Sequence, residues 1–307
     1  MLYRSLGKTG LRVSEIGFGC ASFWGKKVFD EAAAIRLVEA AVDQGVTFFD
    51  TGASYSGGNA EPRLGKALSN LGNRHDLVIA TKAGSYTDGE GRWREDFSAS
   101  GVRRTVEASL VRLGLDAIPL LHLHGPEIGN ITDDLLDTLA RLKEEGKVLH
   151  FSVNSFDPKV IEHIMTLPLF GAVMIDYNIL RPEREPVIEK LAARNFGILA
   201  GMALGGGLYL KNAFRIRGFQ DVWYLARAWK NHRSDLRRGR HLDFLHHQAP
   251  LTAAEIALAW VLRRPEIGCA VLGTTRMSHL SANLRASGLA IGDDLLQKIS
   301  RAQLAFG

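Results

Sequence analysis

Four ionisable side chains in this 307-residue chain stand at or just beyond the ends of short apolar runs. Asp50 closes TFFD, Lys82 closes VIATK and His124 closes LLHLH, while Tyr55 follows Asp50 by five residues in TGASYS. Taken singly, each has an ordinary reading: a helix cap, a solvated lysine, a satisfied core histidine, a turn tyrosine. Brought together they make a proton-transfer site. A free phenol has a pKa of about 10, so a tyrosine is an effective acid at neutral pH only where its phenolate is stabilised in the transition state. A lysine ammonium about 4 Å away is worth at most about 4 kcal/mol at an effective dielectric of about 20, or roughly three pKa units. Lys82 fits that role, and the Asp50 carboxylate would keep the lysine charged in apolar surroundings. A neutral His124 can donate to a carbonyl oxygen and orient it. No side chain supplies hydride, so proton delivery to a carbonyl calls for a nicotinamide cofactor.

Such groups meet only where strand ends converge. Apolar runs begin near Ile16, Thr47, Val78, Ile118, Leu149, Ala172, Gly197 and Ala270. Amphipathic stretches lie between them at 31–44, 100–113, 132–145, 158–165, 184–194 and 252–263, the last opened by Thr252 and Glu255 in capping-box spacing. Eight strands separated by helices predict an α/β chain closed into a (β/α)8 TIM barrel, with its functional groups at the C-terminal strand ends. Residues 2–13 alternate around Lys8-Thr9-Gly10, which predicts an N-terminal β-hairpin. Pro119 falls inside the fourth run, where it removes a ladder donor. No Pro-rich or Ser-rich linker interrupts the chain, so a single domain over 1–307 is expected.

Composition excludes several classes. At 46% apolar and 23% charged residues the chain can bury a core and is not of a disordered type. Residues 1–13 have no apolar stretch, and the longest weakly polar run, 198–210, is short and broken by glycines, so neither a secretory leader nor a spanning helix is expected. Two distant cysteines, Cys20 and Cys269, allow no disulfide framework and suit the cytoplasm. The net charge of +5 is concentrated in residues 211–247, which carry nine Lys or Arg against three Asp or Glu. Phe214, Phe219, Trp223, Tyr224, Trp229 and Phe244 lie among them. Aromatics among arginines suit nucleic acid, but helical spacing favours an amphipathic helical insertion before the seventh barrel helix, packed over the barrel mouth as a substrate lid. No nucleic-acid or membrane partner is therefore expected. His122 and His124 share one strand face, as in metal hydrolases; that chemistry wants the pair on the first strand, so no metal is expected. Gly17-Phe18-Gly19 is a broken dinucleotide fingerprint with no helix directly after it, and reads better as a close backbone approach.

Together LGKTGLRVSEIGFGC, FDTGASYSGGNAEPRLGKAL, ATK, LHLHGP, GKVLHFSVNSF and VLGTTRMSHLSANL resemble the aldo-keto reductase family over essentially the full length. The resemblance implies a barrel that uses NADPH, with Tyr55 as general acid/base, Lys82 and Asp50 tuning it, and His124 orienting the carbonyl of a small aldehyde, ketone or aldose. It also implies a cofactor across the barrel mouth, against Ala21, Ser22, Asp50, Asn154, Ser155, Met174, Gly201, Met202, Leu204, Gly205, Gly207, Gly273, Thr274, Thr275, Arg276, Leu280 and Asn283. Several positions depart from the family pattern. Asn154-Ser155 is the usual pair in swapped order, Met174 replaces a glutamine, Gly201 replaces the aromatic that stacks on the nicotinamide, and Thr275 replaces a lysine. Arg276 could still pair bidentately with a 2′-phosphate, so NADP(H) is favoured, with NAD(H) as the alternative. These replacements point to the subgroup resembling sugar 1-dehydrogenases. Some family members are regulatory channel subunits that keep a bound nucleotide, which gives a non-catalytic alternative. Phe23, Trp24, Tyr86 and Trp93 are expected to line the substrate pocket.

Overall fold

The computed structural model describes residues 1–72, 74–207 and 233–306. An N-terminal hairpin pairs β1 (Tyr3–Ser5) with β2 (Arg12–Ser14). Eight parallel strands then close a barrel: β3 (Ile16–Gly19), β4 (Phe48–Asp50), β5 (Val78–Ala83), β8 (Ile118–His124), β9 (Val148–Asn154), β10 (Phe170–Ile175), β11 (Gly197–Ala200) and β12 (Ile267–Leu272), the last pairing back onto β3. Between β5 and β8 a second hairpin, β6 (Ser85–Thr87) with β7 (Trp93–Glu95), stands beside the barrel mouth. Every barrel strand starts within three residues of the run that predicted it.

Ten described helices accompany the strands: α1 (Glu31–Asp43), α2 (Ala60–Ser69), α3 (Ala99–Leu113), α4 (Asp133–Glu144), α5 (Pro158–Ile164), α6 (Glu185–Ala192), α7 (Arg233–Arg240), α8 (Ala253–Leu262), α9 (Met277–Leu284) and α10 (Asp293–Leu304). Their starts are written locally. Asp30, Ser98, Thr132 and Asp157 cap α1, α3, α4 and α5 through side-chain oxygens, and Thr252 with Glu255 forms the full capping box of α8. Each such cap is worth about 1 kcal/mol. The insertion is seen in part: α7 docks on the loop after β10, where Asp235 pairs with Arg181 at 2.8 Å and Arg238 donates to the Leu180 carbonyl at 2.9 Å. Phe244 packs against the core, while Phe214, Phe219, Trp223, Tyr224 and Trp229 lie outside the described residues.

Inside the barrel, side chains on alternate strand positions climb from apolar to polar. Phe48, Val78, Ala80, Leu120, Ala172, Met174, Leu199, Cys269 and Val271 form one buried cluster, with Leu6 and Val13 from the hairpin end closing it below. Two positions further along β4, β5 and β8, the same inward row reads Asp50, Lys82 and His122, because successive residues of a strand face opposite sides. Packing accounts for three glycines. Gly7 adopts a φ of +53°, and a β-carbon there would lie 2.1 Å from the Gly197 nitrogen. A β-carbon at Gly17 would meet Cys269 and Phe48 at 2.8 Å, so this glycine serves interior packing. Gly65 lets α2 approach the Arg112 carbonyl at the end of α3. Pro119 is also explained: the β5 ladder begins one residue later, at Leu120, and the β9 ladder is carried by Ile118 and Leu120 on either side of it.

Candidate active site

Lys82 is completely buried, and its ammonium donates to Asp50 Oδ1 at 2.5 Å and to the Thr51 carbonyl at 2.7 Å. Directly above it, the Nζ lies 4.7 Å from the centre of the Tyr55 ring. Tyr55 opens a tight 3-10 turn, Tyr55–Gly58, anchored by its own N–H on the Gly52 carbonyl, so the phenol leans back over the end of β5. His124, at the tip of β8, meets the Tyr55 ring edge-on with centroids 5.5 Å apart. Its Nδ1 lies 2.5 Å from Ser85 Oγ, which in turn lies 3.1 Å from Ser54 Oγ. The four groups expected from the sequence thus converge on one patch of rim, with Lys82 and Asp50 below and Tyr55 and His124 half-buried above.

Electrostatics sharpens and partly corrects the expectation. Burial raises the Tyr55 phenol above its ordinary pKa, against the pull of the Lys82 charge, so the resting phenol keeps its proton; the ammonium offsets desolvation and does not by itself make the phenol acidic. Burial also works against the Lys82 ammonium, but the Asp50 carboxylate and Tyr55 outweigh it and the lysine stays charged. His124 is pushed down to about 3, first by burial and then by the Lys82 charge, which keeps the imidazole neutral at physiological pH.

The expected cofactor positions fall along the same rim from β9 to α9. Asn154 ends β9, and Ser155 follows it with its N–H on the Met174 carbonyl. Met174 is buried in the interior and its thioether flanks Gly201, where a β-carbon would stand 3.3 Å from the sulfur. Beyond Gly201, Met202 takes a φ of 52°, and Gly205, Gly206 and Gly207 continue in left-handed geometry at 54°, 64° and 72°. Leu204 is half-buried against the core. Gly273 passes so close to the Gly19 carbonyl that a β-carbon would lie 2.7 Å from it. Thr274 accepts from the N–H of Arg276, and the exposed Arg276 precedes the first turn of α9, with Thr275 half-buried beside it and Leu280 and Asn283 buried below. Ser22, with a φ of 55°, follows Ala21 at the end of β3 and receives Ser56 Oγ on its carbonyl.

Of the expected substrate-pocket residues, Trp24 does not reach the rim. It is 1% exposed, donates to the Ala34 carbonyl and packs edge-on against Phe18, because an indole that finds an internal acceptor is better placed in the core. Phe23 is half-buried against Phe29, Tyr86 is half-buried, and Trp93 is exposed on β7. Ser85 and Ser152, which touch the two histidines, were missed by sequence reasoning. Ser85 stands three residues beyond Lys82, past the end of β5 and outside the alternation of the barrel strands, whereas the inward parity of β9 could have found Ser152. No cluster of His, Cys, Asp or Glu among the described residues could hold a metal, and no described helix is long and apolar enough to cross a membrane.

Comparison with known proteins identifies the family and agrees with the barrel fold. The Aldo/keto reductase family profile matches residues 15–303, and the chain belongs to that family of oxidoreductases acting between carbonyl and alcohol. It is 28% identical to an L-galactose dehydrogenase of Arabidopsis thaliana over 92% of this chain and 87% of that one. It is 26% identical to a probable voltage-gated potassium channel subunit beta of the same plant, over 93% and 91%. Among solved structures, the holo form of aldo-keto reductase AKR11C1 from Bacillus halodurans superposes with a TM-score of 0.81 at 25% identity, covering 98% of this chain and 96% of that one.

Proposed function

We propose that the chain interconverts a carbonyl and an alcohol with a nicotinamide dinucleotide, and that Tyr55 transfers the proton. The observation that carries this is the stack of Tyr55 over a buried, charged Lys82 held by Asp50, with neutral His124 beside the phenol. In the reducing direction the protonated phenol donates to the carbonyl oxygen, and Lys82 stabilises the phenolate left behind. In the oxidising direction that phenolate takes the alcohol proton. His124 donates a hydrogen bond to the same oxygen and fixes the face presented to the phenol.

The rim suits a dinucleotide: the left-handed Gly205–Gly207 turn, closed by the Gly205 N–H on the Met202 carbonyl and the Gly207 N–H on the Leu204 carbonyl, presents bare backbone where any side chain would be strained, and Asn154 and Ser155 offer amide-binding groups. Exposed Arg276 at the start of α9 suits a 2′-phosphate, so we propose NADP(H) as the preferred form. When bound, the nicotinamide supplies or accepts the hydride. The likeness to an L-galactose dehydrogenase supports an aldose among the substrates to be tried. We also propose that the chain works in the cytoplasm as one domain and takes small-molecule partners alone.

The likeness to a channel β subunit favours a second reading, a nucleotide-binding regulator, against which the complete set of four groups weighs. Tyr55→Phe separates the two. Turnover of an aldehyde and aldose panel should fall by about a hundredfold or more, with dinucleotide affinity, read by nicotinamide fluorescence, nearly unchanged. A wild-type chain that binds dinucleotide and turns over nothing would favour the regulator.

A further inference from the structure

The polar layer beneath the rim contains a histidine that proton transfer as described leaves without a task. His122 is wholly buried. Its Nδ1 lies 2.9 Å from Ser152 Oγ, and its Nε2, which has no hydrogen-bond partner among the described residues, lies 3.7 Å from Asp50 Oδ1, the oxygen that accepts from Lys82. Strand register sets Lys82, His122 and Ser152 side by side on β5, β8 and β9.

Burial, with the Lys82 charge and the neighbouring His124, keeps this imidazole neutral, so one nitrogen carries a proton and the other a lone pair. With the proton on Nδ1, the Nε2 lone pair would face the carboxylate in a dry layer, and the Ser152 hydroxyl would be left to the Val153 carbonyl at 3.4 Å. With the proton on Nε2, the N–H dipole points at the carboxylate and the Ser152 hydroxyl donates to Nδ1 over the shorter distance. The second arrangement turns an N–H rather than a lone pair toward the carboxylate oxygen 3.7 Å away and gives the hydroxyl its shorter bond, and low dielectric enlarges the difference.

We propose that Ser152 fixes His122 as its Nε2–H tautomer, and that His122 is a positioning residue which steadies the Asp50 carboxylate and, through it, the Lys82 ammonium under Tyr55. The tautomer stands independently of the reaction; the kinetic consequence rests on the proton-transfer reading. The charged and titratable groups facing the imidazole are Asp50 from β4, Lys82 from β5 and His124 on its own strand. Losing the Nε2–H removes a favourable contact to the ionised Asp50, so that carboxyl should take up a proton at higher pH.

Nitrogen-15 NMR of the whole chain labelled at histidine reads the tautomer directly. A protonated Nε2 and a bare Nδ1 are expected for His122, and the reverse pattern overturns the assignment. In kinetics, His122→Leu should move the acid limb of kcat up by about half to one pH unit and lower kcat about threefold to tenfold, with KM little changed. His122→Gln, which restores a donor, should recover most of the loss, and Ser152→Ala should give an intermediate shift. An acid limb that stays put in both His122→Leu and Ser152→Ala overturns the positioning role. Should His122→Leu fail to fold, Ser152→Ala and the NMR spectrum decide. A correct tautomer in a chain whose Tyr55→Phe variant keeps full turnover would refute the proton-transfer reading and leave the tautomer assignment standing.

Discussion

Replacing Lys82 by methionine removes the ammonium beneath Tyr55 with little change in volume. With the Nζ 4.7 Å from the ring centre, Coulomb's law at an effective dielectric of about 20 gives about 3.5 kcal/mol for its hold on a phenolate, an upper bound equivalent to about 2.5 pH units. The ammonium favours the ionised phenol, so its loss should carry the Tyr55 titration, and the alkaline limb of activity, to higher pH by about two units. A second effect is inseparable in the single variant. Asp50 is 4% exposed, and stranding its carboxylate should cost about 3–5 kcal/mol of folding stability. Adding Asp50→Asn should return most of that stability while turnover stays about a hundredfold or more below wild type. An ultraviolet titration of tyrosine, with Tyr55→Phe as the blank, measures the phenol shift, and chemical denaturation measures the stability. A Lys82→Met chain whose phenol titrates at the wild-type pH, or which keeps wild-type turnover, refutes the coupling inferred from the geometry.

Other outcomes follow from the same coordinates. Arg276→Ala should weaken 2′-phosphorylated dinucleotide about tenfold to a hundredfold and leave the plain form nearly unaffected, as read by fluorescence titration. Stability should fall as pH drops from about 6.5 toward about 3, because the unfolded His124 binds a proton near 6.5 while the folded one resists it down to about 3; the melting temperature should fall across that window in wild type and fall less in His124→Gln. Gly7→Ala combines a positive φ with a β-carbon 2.1 Å from the Gly197 nitrogen, and should cost about 3 kcal/mol or more in denaturation while the folded fraction keeps its turnover.

The barrel was legible because its strands are short, apolar and buried on both sides, leaving a run of hydrophobic residues wherever one occurs. Helices with side-chain caps were equally plain. Helix α2 was hidden: its sequence AEPRLGKALS carries Pro62 and Gly65, which lower helix propensity, and buries Glu61 and Arg63, which break the apolar stripe. Those departures have tertiary causes, since Glu61 accepts from Thr81 and pairs with Arg112, and Arg63 donates to the Trp24 carbonyl. The four rim groups could be found because strand ends are where a barrel concentrates chemistry. Their burial could not, and burial decides that the resting phenol keeps its proton. Trp24 shows the converse: position in the chain put it beside the mouth, and an internal acceptor drew it into the core.

The hairpin that stoppers the lower end of the cylinder has a kinetic corollary. With Leu6 and Val13 sealing that side and a solid apolar filling above them, the described residues leave no route to Tyr55 from below, so whatever reaches it comes from the rim. If a dinucleotide and its carbonyl partner both enter from that rim, as proposed, the one seated deeper should come first and leave last, a sequence that product-inhibition patterns would display.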